Sequence, residues 1–370
     1  MFTLACQNLV VPRFNVDPDI TRAHTIPSEF YTSQAVFDEA KERIFTQSWQ
    51  WVADRDQLKV PGAVFPFTLL EGCLDEPLLL TRDTKDQVHC LSNVCTHRGN
   101  LVCEGSGTEN SLRCRYHGRR FDLAGKCTFM PEFEKVVGFP GPSDNLPSVA
   151  TETFGPWIFA SLSPSLSLAS WLDEIPSRLG WMPLQEFLFA PERARTYTVK
   201  GHWALYIDNY LEGFHIPFVH ASLNETLNYG SYDTFLFGSG NLQYGAAGDG
   251  EPCFELPPSS PDYGQNIAAY YYWLFPNFML NFYPWGVSLN VVKPISPSLT
   301  KVMFLPYVWK PELVGTGAGG DLDRVEREDE AVVEMVQKGL KSRLYDRGRY
   351  APRRELGVHQ FHRMIAEAMG

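Results

Sequence analysis

Cys95-Thr96-His97 and Cys114-Arg115-Tyr116-His117 are the two short stretches that decide how this chain is read. They spell C-x-H, a spacer of 16 residues (98–113), then C-x2-H. Two thiolates suit one iron of a [2Fe–2S] cluster, and two neutral imidazoles suit the other. Each pair sits on its own short loop, so facing loops could clamp a cluster from both sides. Arg98-Gly99 follows the first pair and Gly118 the second, which lets backbone approach inorganic sulfide closely. A tetrahedral Cys2His2 zinc site would use the same atoms. Zinc fingers, however, keep cysteines with cysteines and histidines with histidines, and here the two alternate.

Working outward, 370 residues can bury a large core and predict two domains. A hydrophobic content of 44% with 20% charged residues is that of a soluble globular protein. The aromatic content of 14% is high and gathers in the second half. A net charge of −11 argues against nucleic acid or an anionic membrane as partner, and suits docking to a basic face on an electron donor. Eight cysteines are too few and too scattered for a disulfide framework. Cys6, Cys73, Cys90, Cys103, Cys127 and Cys253 read as small buried hydrophobes, and no Cys103–Cys127 disulfide is expected. The N-terminus lacks a basic segment followed by an apolar run, so no secretory signal is expected. The apolar stretch 268–292 is broken by Pro276, Asn277, Asn281, Pro284, Gly286 and Asn290, which suits paired strands better than a membrane span. A cytoplasmic location follows as the expectation.

Residues 33–48 predict a helix capped by Ser33, with Val36, Ala40 and Ile44 on one face. From Trp51 to about Ser161 the texture is short strands and turns: Pro61-Gly62 opens a hairpin, Leu78–Thr81 and Val88–Val94 are strand-like, and Gly125-Lys126 turns again. Thr196–Lys200 predicts a strand, Trp203–Val219 a helical segment, 268–308 a set of aromatic strands, and 321–342 a helix. Gly315-Thr-Gly317-Ala-Gly319-Gly320 matches G-x-G-x-x-G letter for letter. No second parallel strand follows, and Asp321, Asp323 and Glu326 would repel a pyrophosphate, so it reads as a connector.

A second constellation is Glu212-Gly-Phe-His215-Ile-Pro-Phe-Val-His220. A helical turn would place Glu212 and His215 on one face, and Pro217 could swing His220 back towards His215. Two neutral imidazoles and one distant carboxylate make a facial triad for Fe(II), with positions left open for dioxygen. The carboxylate has several candidates in Glu326-Arg-Glu328-Asp329-Glu330 and Glu334. Asp208 and Asn209 either orient the ligands or make ordinary helix contacts. His24, His89, His202, His359 and His362 lack ligand partners at useful spacing and read as structural.

The run from Val94 to Gly118, with the tail Phe121–Lys126, resembles the cluster-binding region of Rieske-type non-haem iron oxygenases. One departure is visible: the family usually has Trp after Tyr-His-Gly, and Arg119 stands there. Phe154-Gly-Pro-Trp-Ile-Phe-Ala resembles the strand that closes that domain. E-x2-H-x4-H resembles the mononuclear-iron motif of the α subunits, where Glu212 is usually Asp but is often Glu in betaine- and carnitine-oxidising relatives. The family frame of an aspartate, a glutamate five residues on and a glutamine shortly after fits Asp329, Glu334 and Gln337, with Glu328 as the fallback ligand.

The resemblance covers almost the whole chain and implies an α+β architecture. An all-β Rieske domain (49–160) would be inserted into a catalytic domain (1–48 and 161–370) with an antiparallel sheet flanked by helices, of the helix-grip, Bet v1-like kind. It implies Cys95, His97, Cys114 and His117 on a [2Fe–2S] cluster and His215, His220 and Asp329 on a mononuclear Fe(II). Glu212 would join His215 to a cluster histidine, His117, of a neighbouring chain in a head-to-tail homotrimer. Cluster and iron together imply reductive activation of O2, with the metals carrying the difficult steps. Without a dinucleotide site, electrons must come from a separate NAD(P)H-dependent flavin or ferredoxin reductase. Asp208–Gly213 and Glu334-x2-Gln337-Lys-Gly339-Leu340 look closer to choline and betaine monooxygenases than to naphthalene-type dioxygenases. The expectation is therefore a terminal oxygenase that hydroxylates or demethylates a small quaternary ammonium substrate. Ring cis-dihydroxylation and a non-catalytic electron carrier are the alternatives.

Overall fold

The computed structural model describes residues 14–220, 227–248, 250–317 and 322–370. Cys6, Gly319, Gly320 and Asp321 lie outside the described residues. Seven strands between Gln50 and Ser161 form one sheet, in the order Gln50–Asp54, Trp157–Ser161, Ser148–Phe154, Val88–Ser92, Glu76–Arg82, Ala63–Leu69 and Gly107–Thr108. A three-stranded sheet of Leu112–Arg113, Arg120–Phe121 and Cys127–Phe129 sits beside it. Val64, Leu79, Leu91, Leu112, Phe121 and Leu123 share a small core that also takes in Cys95 and Cys114.

The larger sheet runs Leu299–Val308, Gly286–Ser296, Phe278–Tyr283, Ile267–Leu274, Gly240–Ala247, Leu227–Phe237, with Leu188–Phe189 and Arg195–Val199 both paired to Leu299–Val308. Among the described residues every named strand pair is antiparallel, so no βαβ unit forms around Gly315 and Gly317. The aromatic-rich strands are apolar on both faces because both are covered. Trp273, Met279, Val292 and Val302 join a core with Trp203, Leu211, Val333, Phe361 and Ile365 of the helices. Their neighbours Tyr272, Leu280, Val291 and Leu305 join Trp49, Trp157, Phe159 and Trp171 on the opposite side. Leu78, Leu80, Ile158 and Ala160 of the β domain share the first of these cores and Trp157 and Phe159 the second, so sheet, helices and β domain pack together in the α+β arrangement that the sequence implies. No described helix is long and apolar enough to cross a membrane.

Four local expectations need correction. The helix from Ser33 is α-helical only over Gln34–Ala40, after which Lys41–Phe45 widens into a π turn closed by Thr46 N donating to Lys41 O at 3.0 Å. Phe154–Ala160 is a hairpin rather than one strand, with Phe154 paired to Trp157 across Gly155-Pro156. Gly155 adopts φ +57° there, and Pro156 has no N–H for the ladder. Val88–Val94 ends as a strand at Ser92. The segment 203–219 is two helices, Trp203–Tyr210 and Ile216–Val219, for the reason given below. The described cysteines are free, so no Cys103–Cys127 bridge forms.

Candidate metal centres and substrate cavity

The two Cys/His loops share one backbone design. Cys95 N donates to Asn100 O at 2.8 Å and Gly99 N to Cys95 O at 3.0 Å. In the second loop Cys114 N donates to Arg119 O at 2.9 Å and Gly118 N to Cys114 O at 3.0 Å. Gly99 (φ +72°) and Gly118 (φ +76°) occupy matching left-handed positions, the conformation that makes both turns tight. The loops face each other: the His97 and His117 rings are 4.8 Å apart between centroids. His117 Nδ1 is buried without any hydrogen-bond partner, which is what an absent metal bond leaves behind. Burial and the neighbouring Cys114 push the Cys95 thiol up, while burial and the charges of His117 and Arg119 push His97 down. Neutral imidazoles and buried sulfurs on facing loops fit a [2Fe–2S] group, which supplies the charge that keeps its thiolates ionised.

The second centre begins where the Trp203–Tyr210 helix stops. Glu212 is not on a helix: its Oε2 accepts the backbone N–H of Phe214 and, at 3.0 Å, that of His215, capping the next helical turn. Pro217 falls in the first turn of Ile216–Val219, where its missing N–H costs nothing. The carboxylate is left able to accept from His215 Nδ1 through Oε1 at 2.8 Å. His220 Nδ1 donates to Glu328 Oε2 at 2.7 Å. Carboxylates can only accept, so both rings carry a proton on Nδ1 and turn Nε2 inward, towards a third carboxylate. There Asp329 Oδ1 lies 3.4 Å from His215 Nε2 and 3.0 Å from His220 Nε2. Ligand atoms of His215, His220 and Asp329 all fall within 4.8 Å of one another, a donor set that fits a single divalent ion. Burial alone would push His215 down, but hydrogen bonds to Asp329 and Glu212 outweigh it and hold the ring up to about 9.

Helix Leu322–Gly339 carries Asp329, and its rotation is fixed at the far end. Glu334 Oε1 accepts from Lys200 N at 3.1 Å, and Gln337 Oε1 from His202 N at 2.7 Å. Those two bonds pin the helix to the start of Trp203–Tyr210, so Asp329 rather than Glu328 faces both Nε2 atoms. Asp208 does not touch these ligands; it accepts from Tyr31 Oη at 2.8 Å and pairs with His362 Nε2 at 2.9 Å. His24, His89, His202, His359 and His362 all lie outside the clustered donors.

Sequence reasoning missed a cavity of about 220 Å³ whose lining brings Tyr197, Trp285, Ser288 and Phe304 together with two acids, Asp323 and Glu326, and two arginines, Arg193 and Arg195. Glu326 is one helical turn before Asp329, only 5% exposed, and its Oε2 accepts from Tyr206 Oη at 2.7 Å. Its Oε1 is buried without a partner. Burial pushes this carboxyl up to about 8. The aromatic residues between 270 and 283 are mainly core: Tyr270, Tyr272, Trp273, Phe278 and Phe282 are fully buried.

A family model described as the Rieske [2Fe-2S] domain matches residues 48–140, and one described as the ring hydroxylating alpha subunit (catalytic domain) matches residues 188–370. The chloroplastic choline monooxygenase of Arabidopsis thaliana is 29% identical over 385 residues, covering 99% of this chain and 87% of that protein. The carnitine monooxygenase oxygenase subunit of Escherichia coli K12 is 29% identical over 367 residues, covering 93% of this chain and 94% of that one. Among solved structures, the quaternary ammonium Rieske monooxygenase CntA superposes with a TM-score of 0.75 at 24% identity, covering 94% of this chain and 96% of that chain. Naphthalene 1,2-dioxygenase from Rhodococcus sp. superposes at 0.72 with 18% identity, covering 93% and 94%. These two likenesses speak for the fold alone.

Proposed function

The chain belongs to the Rieske non-haem iron oxygenases, and from that premise we propose that it hydroxylates or demethylates a small quaternary ammonium compound. Members of this family take O2, a small substrate and electrons from a reductase. When bound, the cluster supplies single electrons and the mononuclear iron supplies activation of dioxygen. In this reading Cys95, His97, Cys114 and His117 hold the cluster, and His215, His220 and Asp329 hold the iron. Glu212 and Glu328 orient the two imidazoles through Nδ1, a role whose loss usually weakens metal binding about 10- to 100-fold.

The observation that carries the substrate class is Glu326 in its aromatic cavity. A buried carboxyl with an idle oxygen beside Trp285, Tyr197 and Phe304 offers a cation both a counter-charge and aromatic faces, against which Arg193 and Arg195 of the same lining act. An uncharged arene would gain nothing from ionising that carboxyl, so ring dihydroxylation has no use for it. The relatives named for choline and carnitine point the same way. The test is one round of reaction with chemically reduced protein and oxygen, using choline, glycine betaine, stachydrine and carnitine. Formaldehyde or an aldehyde product is expected. Ring diols from aromatic substrates, with no product from the ammonium compounds, would replace this reading with dihydroxylation.

We further assign residues 49–160 to the Rieske domain and 1–48 with 161–370 to the catalytic domain. In support, all seven strands of the first sheet lie between Gln50 and Ser161. A head-to-tail trimer with Glu212 bridging to the neighbouring His117 belongs to the same proposal. Exposed aromatics flank both centres, Tyr116 beside His117 and Phe214 and Phe218 beside His215, which suits two copies covering each other there.

A further inference from the structure

Arg119 is a cation 2% exposed, immediately behind the second cluster loop, where the family pattern has Trp. Its backbone and side chain serve different loops. The carbonyl closes the second loop by accepting from Cys114 N at 2.9 Å. The guanidinium reaches the first: Nη1 donates at 2.8 Å to Oγ1 of Thr96, the residue between Cys95 and His97. Nη2 donates at 3.2 Å to Asp144 Oδ1, and Nε at 3.4 Å to Met130 Sδ. Thr96 Oγ1 in turn donates at 2.6 Å to Asp144 O, and Gly141 N donates at 2.8 Å to Asp144 Oδ2. The rings of Phe133 and Phe139 lie 5.5 and 5.4 Å from the guanidinium carbon and keep water away from it. Among the described residues Asp144 is the one acid paired with it, and its side chain is 22% exposed and so partly solvated.

We propose that Arg119 is a positioning residue for the cluster. It ties the two loops into one cradle, and its buried charge makes the one-electron reduced state easier to reach. The proposal rests on the reading that these loops hold the [2Fe–2S] group. Uptake of one electron from the reductase adds one negative charge between the loops, with no bond made or broken. A desolvated guanidinium touching Thr96 stabilises that added charge, because electrostatic interactions lose little to screening in a buried site. A merely structural Arg119–Asp144 pair would change unfolding and leave the redox equilibrium alone.

The test uses the full-length, cluster-containing protein and the variants Arg119→Met, Arg119→Lys and Asp144→Asn. Acid-labile sulfide per chain is measured first, then the midpoint potential by redox titration of the visible circular dichroism. Arg119→Met is expected to lower the reduction equilibrium constant at least tenfold, about 59 mV for a one-electron couple. Arg119→Lys should stay nearer the parent than Arg119→Met does. Asp144→Asn, which frees the guanidinium from its counter-charge at nearly constant volume, should raise the potential. Parental potentials in sulfide-loaded Arg119→Met and Asp144→Asn would overturn the proposal. If Arg119→Met fails to load sulfide, Asp144→Asn decides alone, and a parental potential there overturns it. A parent protein without sulfide would instead overturn the cluster reading.

Discussion

Glu326 gives the substrate proposal its sharpest test. In the empty cavity burial raises this carboxyl to about 8, so it is mostly protonated at neutral pH. With that value only about one molecule in eleven carries the charge at pH 7, half at pH 8 and about ten in eleven at pH 9. A cation that needs the ionised form binds with an affinity scaled by those fractions. Choline, which has no group titrating in this range, should therefore bind about fivefold tighter at pH 8 than at pH 7, and about tenfold tighter at pH 9. The sign follows from the direction of the shift: raising the pH removes the proton that competes with the cation. A quaternary nitrogen about 5 Å from the carboxylate, at an effective dielectric of 20, gains about 3.3 kcal/mol. Ionising the group at pH 7 costs about 1.4 kcal/mol, leaving roughly 1.9 kcal/mol, so Glu326→Gln should weaken binding by roughly 25-fold at pH 7 and flatten the profile. Calorimetry on the oxidised protein in two buffers of different ionisation enthalpy should show about 0.9 proton released per choline bound at pH 7. A flat pH profile with no proton release in the parent protein would refute the assignment of Glu326 to the substrate cation.

Three further outcomes follow from the metal site and the core. Asp329→Ala should lose the mononuclear iron while keeping the sulfide, whereas Glu328→Ala should keep a site weakened about 10- to 100-fold, as measured by iron analysis and competition with a chelator. Loss of iron in Glu328→Ala alone would exchange the two roles. Glu212→Gln should retain both metals yet fail to pass electrons from reduced cluster to iron, as followed by rapid mixing with oxygen; normal turnover would contradict the bridge. Trp203, fully buried and edge-on to Phe45 and Phe361, joins the helices to the core, and Trp203→Ala should cost about 3–5 kcal/mol in a denaturant titration.

The two Cys/His loops were legible because ligand type, spacing and the glycines that tighten each turn are all local. His215 and His220 were legible for the same reason. The continuous helix expected through Glu212 was wrong because a carboxylate that caps the next turn competes with one that continues the helix. Gly155-Pro156 carried a turn signal that the apolar run around it obscured. Asp329 was separable from its acidic neighbours only through the family frame. On a charged helix the acids look alike in sequence, and what distinguishes them is rotation, set by Glu334 and Gln337 on backbone more than 130 residues away. Glu326 was legible only as one acid among several, since its burial and its idle oxygen arise only when Tyr206 and the sheet close over it. Asp208 likewise declares its role only through Tyr31 and His362, distant in the chain.

The net charge of −11 hides a division of labour between the two centres. Arg98, Arg113, Arg115, Arg119 and Arg120 crowd the loops that would accept an electron, and Arg119 is the one withdrawn from water. Glu212, Glu328 and Asp329 surround the two imidazoles that would hold a divalent ion, and Glu326 waits one turn away. Added negative charge is favoured at the first place and added positive charge at the second. The hydrogen bonds to Asp329 and Glu212 that hold His215 up to about 9 express the same preference: with no ion present it is a proton that the carboxylates attract. The carboxylates favour a cationic substrate over a neutral one of equal size, Arg193 and Arg195 of the cavity lining oppose it, and both influences fall steeply with distance in salt. Choline binding should therefore weaken with ionic strength less than a surface ion pair would, because Glu326 acts from inside the cavity rather than across solvent.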